Sequence, residues 1–121
     1  MKIFVSGPMT GIENYNIPEF NRVARMLRNK GWEVINPVDI CNKYTIDKVL
    51  NDKNVFEKMI NEELELLKTC DAIYMMKGWE DSIGANREYI LARKYYLKFI
   101  FEKNGIIRRL IRSLRDWCYE R

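Results

Sequence analysis

No histidine occurs among the 121 residues. That absence removes the commonest side-chain general base and the usual zinc ligand, so acid and base work must fall to carboxylates, tyrosines or lysines. Cysteine is scarce and odd in number. Cys41, Cys70 and Cys118 show no paired spacing, which argues against a disulfide framework and leaves reduced thiols and no metal as the expectation. No apolar run approaches the roughly 18 residues needed to span a bilayer. Met1 opens directly on a strand-like run with no leader pattern, so no membrane partner is expected and the cytoplasm is the expected compartment. What remains is 47% hydrophobic and 31% charged, the balance of an ordinary globular domain with a modest core. A single domain over residues 1–121 is the reading.

The chain alternates strand and helix patterns. Lys2 to Ser6 is β-prone and stops at Gly7-Pro8, Trp32 to Ile35 ends at Asn36-Pro37, Ala72 to Met76 is a short apolar run, and Lys98 to Phe101 precedes Asn104-Gly105. Between the first two strands, Phe20, Val23, Ala24 and Leu27 form an apolar stripe, with Asn16-Ile-Pro-Glu19 as the expected cap, Asn16 accepting from the first turn and Glu19 reaching back. A second helix, capped by Asn54, places Phe56, Met59, Ile60, Leu64 and Leu67 in its stripe, with Glu57, Lys58, Glu62, Glu63 and Lys68 expected largely outside it, Glu62 near its edge. Residues 40 to 53 are polar and weakly periodic, a cover or partly ordered insertion. A third helix follows Ser82. A fourth, over about residues 105–119, sets Ile107, Leu110, Ile111, Leu114 and Trp117 against Arg108, Arg109, Arg112 and Arg115. Such a basic face is most simply a solvated one, and nucleic acid is the weakest of the partner classes considered. Alternating strands and helices imply an α/β fold: a small Rossmann-like parallel sheet of about four strands, in flavodoxin-like 2-1-3-4 order, with helices on both faces.

In that order the loops after the first and third strands lie side by side at the carboxyl edge, where such sheets hold ligands. Gly7 to Tyr15 is long for a strand-to-helix turn, and Gly7, Pro8, Met9 and Gly11 let its backbone lie close to a ligand; an irregular connection stiffened by proline is the plainer alternative. Asp39 falls in a second edge loop. Asp71 opens the third strand, either as a polar residue ending the connection or facing a ligand. Gly78 to Glu88 is the most polar junction, with Ser82 and Gly84 at a helix start and Glu88 about one turn in. Free amides there suit an anion and an ionised nucleophilic carboxylate, although acidic residues at helix starts commonly just complement the helix dipole.

Ser6-Gly-Pro-Met-Thr-Gly11, Asn36-Pro37, Cys70-Asp71, Gly78-Trp79 and Ser82-Ile-Gly-Ala-Asn-Arg-Glu88 occur in that order, and together they resemble the nucleoside 2-deoxyribosyltransferase superfamily over about residues 1–101. The match is nearest to a small phage and bacterial domain family, with 2′-deoxynucleoside 5′-phosphate N-hydrolases as more distant relatives. The resemblance implies cleavage or transfer of the N-glycosidic bond of a nucleoside or nucleoside 5′-monophosphate through a covalent glycosyl intermediate on Glu88, without a cofactor. It places the family's second acidic residue on Glu62, a phosphate contact on Ser82, and the loop around base and sugar on Gly7, Pro8 and Met9. Two positions depart from it: relatives generally carry Asp where Glu62 stands, and the hydrolases' strand-one tyrosine is Phe4. A non-catalytic nucleotide-binding module that kept the pocket is therefore the alternative.

Tyr89, Ile90, Leu91, Ala92, Tyr95 and Tyr96 form an apolar and aromatic set too broad for one core-facing stripe. A homo-oligomer, most simply a dimer, is expected from that surface and from the resemblance, in which neighbouring subunits complete each site. Arg108 or Arg109 would then come within reach of a phosphate.

Overall fold

The computed structural model describes residues 1–44 and 46–102. Four strands, β1 (Lys2–Ser6), β2 (Glu33–Ile35), β3 (Ala72–Met75) and β4 (Lys98–Phe101), form one sheet in the order β2-β1-β3-β4. All three pairings are parallel, with Phe4 registered on Ile35 and Ile73, and Ile73 on Phe99. The helices are α1 (Ile17–Asn29), α2 (Pro37–Cys41), α3 (Ile46–Asn51), α4 (Lys53–Leu67) and α5 (Ile83–Lys94), with short 3-10 turns at Glu13–Asn16 and Trp79–Asp81. The α/β architecture and strand order are those expected. The basic helix read at about 105–119 lies outside the described residues.

Strand alternation sorts the core into two layers. Ile3, Val5, Ala72 and Tyr74 face α1, where Phe20, Val23, Ala24 and Leu27 are buried. On the other face Phe4, Ile73, Met75 and Phe99 meet Leu67 and Ala92 of α4 and α5. A third cluster joins Ile40, Cys41 and Val49 to Met59 and Ile60, so α2 and α3 pack on α4. The segment read as a polar cover is thus two short helices. Asn36 starts the first by accepting from Val38 N at 3.1 Å, with Pro37 at a position where its missing donor is not needed.

Two expected caps differ. Asp52, not Asn54, caps α4, accepting from Asn54 N at 2.9 Å and Val55 N at 3.4 Å. Asn16 makes no side-chain cap, because Asn14, Tyr15 and Asn16 are all left-handed, with φ of 52°, 54° and 61°. A capping side chain normally works from extended backbone. Asn16 Nδ2 instead donates to Pro8 O at 2.9 Å, and Glu19 pairs with Arg22 rather than reaching back. Asparagine tolerates left-handed backbone, but at a residue such as Tyr15 it costs about 1–2 kcal/mol, so the centre of this turn is held against its own preference.

The chain leaves β1 and β3 toward opposite sides of the sheet, which makes their carboxyl ends the switch point. There the two ends are locked together: Met76 N donates to Ser6 O at 2.7 Å. A Cβ on Gly7 would lie 2.7 Å from Met76 Cβ, so only glycine fits the contact.

Candidate active site

The polar junction after β3 becomes a rigid turn into α5. Gly78 adopts φ 88°, and Asn86 Nδ2 donates back to Glu80 O at 2.9 Å and Ser82 O at 2.8 Å. Ser82 Oγ caps the helix by accepting from Ala85 N at 3.2 Å. One turn further, Glu88 is buried and its Oε1 accepts from Ser6 Oγ at 2.6 Å. Ser6 reaches it because alternation along β1 sends positions 4 and 6 toward the α4 and α5 side.

Glu88 and Glu63 of α4 line the same cleft, whose inner part encloses about 670 Å³ of empty space, some of it open to solvent. Glu63 is only 5% exposed. Burial first, and then the charges of Glu88 and Glu62, push its carboxyl far above the usual range. Burial also raises Glu88, opposed by the Ser6 hydroxyl, which favours the ionised form. Both carboxyls are thus held well above the ordinary range and titrate as a pair, with the Ser6 hydroxyl as the one contact that favours an ionised Glu88. Apolar walls surround them, Phe20, Phe56, Met59 and Ile60 among them. The outer part of the cleft is wide and of mixed charge, with Arg22, Lys53, Lys77 and Arg87 beside Glu19, Asp81 and Glu102; Arg22 pairs with Glu19 and Glu102, and Arg87 with Glu57 at 3.3 Å.

The residues singled out in the sequence are distributed as follows. Gly7 and Met9 line the inner cleft, Pro8 the outer, and Ser82 and Gly84 both. Glu62 does not line it. Its carboxylate accepts from Lys43 Nζ at 2.6 Å and Tyr44 OH at 2.7 Å, contacts that hold it ionised below the usual range and tie α4 to the stretch between α2 and α3. Asp39 is exposed on α2, 3.8 Å from Arg28. Asp71 sits at the amino end of β3, accepting from Lys2 N at 2.8 Å, across the sheet from the cleft. Arg108 and Arg109 lie outside the described residues.

Glu63 and Ser6 were not read as site residues. Glu63 stands in register with Met59, Ile60 and Leu67 on the buried face of α4, at i+4, i+3 and i−4, so helical spacing alone marks it as a carboxylate in an apolar stripe, contrary to its expected place outside. Alternation on β1 similarly aims Ser6 at α5. Among the described residues no group of three or more potential ligands suited to a metal occurs.

A solved structure with a related fold is that of Clostridium botulinum CMP N-glycosidase, BcmB. The TM-score is 0.54 and the identity 18%, with 93% of this chain and 81% of that one covered. None of the curated proteins matches the chain. A family model described as a domain of unknown function (DUF4406) matches residues 1–101, and the chain therefore belongs to that family.

Proposed function

We propose that the chain cleaves the N-glycosidic bond of a nucleoside 5′-monophosphate, with Glu88 as nucleophile and Glu63 as proton donor. The observation that carries this reading is the pair itself: two buried carboxyls on one apolar cleft, Glu88 accepting from a serine hydroxyl and Glu63 without that donor, raised by burial and by the charges beside it. Pairs whose surroundings separate their ionisation divide into nucleophile and acid. Similarity of fold to a CMP N-glycosidase supports a nucleotide as the ligand.

Ionised Glu88 attacks the anomeric carbon as its bond to the base breaks. Glu63 gives its proton to the departing base, which leaves neutral, and the sugar remains as an ester on Glu88. The Glu63 carboxylate then takes a proton from water, or from an acceptor hydroxyl or base nitrogen, as that group attacks the same carbon and frees Glu88. Lys53, Lys77 and Arg87 supply charge for the phosphate in the outer cleft, with Ser82 at the helix start beside them.

Incubation with a panel of nucleosides and their 5′-monophosphates should release free base, faster from the monophosphates. Glu88→Gln should abolish release while leaving ligand binding measurable; wild-type turnover in that variant would remove the nucleophile. A binding module that retains the pocket is favoured by one feature, the burial that works against an ionised Glu88. Nucleotide binding without release of base would decide for it.

A further inference from the structure

We propose that Tyr15 is the surface on which the base of the bound nucleotide stacks, an inference that rests on the nucleotide reading above. The cleft is chemically divided, and its division orients a nucleotide. All the lining cations stand in the outer part, among three carboxylates, and the inner part has none; the phosphate therefore goes to the outer part, and the inner part, which joins the carboxyl pair to aromatic and thioether side chains, takes the planar base. Tyr15 lines the inner part alone, with Met9 and Phe20. Its ring is half-buried.

The backbone beneath it is built for that placement. Tyr15 is the middle of the left-handed run Asn14–Asn16, and it is the one residue of the three whose type disfavours that backbone. Two hydrogen bonds enforce the shape: Tyr15 N donates to Ile12 O at 2.9 Å, and the Asn16 amide ties the turn to Pro8 O at 2.9 Å. Strained backbone persists only where its surroundings over-determine it, and ligand clamps are where such residues gather. The ring, not the hydroxyl, is the working part. Because every base has a π face, Tyr15 adds affinity while leaving the choice of base to other groups.

The test is calorimetric titration of the full chain carrying Glu88→Gln, so that no ligand is consumed, with cytidine 5′-monophosphate and with ribose 5-phosphate, which lacks a base. Tyr15→Ala is expected to weaken cytidine 5′-monophosphate by about 10- to 100-fold and ribose 5-phosphate by less than about threefold. Tyr15→Phe should stay within about threefold for both, since the ring is kept. Tyr15→Asn, whose side chain tolerates left-handed backbone, should repeat the alanine result without disturbing the turn. Equal losses for the two ligands, no loss for the nucleotide, a phenylalanine variant as weak as alanine, or no binding of the nucleotide at all would each overturn the proposal. Base release by the wild-type chain is read separately. A chain that binds through Tyr15 but releases no base would sink the cleavage reading and keep this one.

Discussion

Glu63 is a carboxyl buried among apolar groups, and the fold holds it with its proton on. In the unfolded chain it ionises around the ordinary value of 4.5; in the fold, burial and the charge of Glu88 raise that point well above it. As pH climbs past the unfolded value, the unfolded chain releases a proton that the folded chain retains, so stability declines with rising pH until Glu63 ionises in the fold as well. Glu63→Gln removes this dependence. The variant is expected to match the wild type at pH 4 and to exceed it by roughly 1–3 kcal/mol at pH 8, measured by denaturant unfolding at the two values. An equal difference at both would mean that Glu63 is not held neutral. Stability relinquished at this position is what the proposed chemistry requires, because a proton donor must still hold its proton at the working pH.

Consecutive residues on α4 point about 100° apart, and that separates the work of Glu62 from that of Glu63. Glu62→Gln should change the rate of base release by less than about threefold, since only its contacts to Lys43 and Tyr44, outside the cleft lining, are weakened. Glu63→Gln should lower it on the order of 100-fold. Steady-state rates of both variants distinguish the two positions, and the opposite ranking would return the acid role to Glu62. Long-period features were legible in the sequence: the four strands, the stripe of α1, the start of α5 just after Ser82, and the meeting of the loops after β1 and β3. Short-range choices were not. Helices α2 and α3, at five and six residues, are too brief for periodicity to rise above composition. The Asn16 cap was lost to a left-handed turn that Asn14 and Asn16 tolerate but Tyr15 between them does not advertise. At Glu63 the charge favours an exposed place, and the helical register with Met59, Ile60 and Leu67 overrides it.

At the scale of the molecule, one face remains without cover among the described residues. Tyr89 stacks on Trp79 at 4.8 Å and packs on Phe99 at 5.2 Å, and Ala92 is in the core, but Ile83, Ile90 and Tyr96 are 76%, 67% and 81% exposed. Exposed apolar and aromatic groups on a helix and just past its end, as Ile83, Ile90 and Tyr96 are here, commonly mark an interface. Sedimentation equilibrium at micromolar concentration is expected to give twice the 14.6 kDa of a single chain; a single-chain mass across the accessible range would remove the interface. The contact of Gly7 with Met76 has a broader effect on the cleft. It makes one wall a fixed gauge, because the loop carrying Met9 and Tyr15 and the turn leading to Ser82 and Glu88 spring from strand ends that touch with no room for a methyl group. The facing wall hangs on α4 through Val49, Cys41 and the surface contacts of Glu62. Tolerance for larger ligands is therefore lopsided: evolution can widen the cleft by trimming α2 and α3, whereas widening it from the β1 side would pull Glu88 away from the Ser6 hydroxyl that orients it.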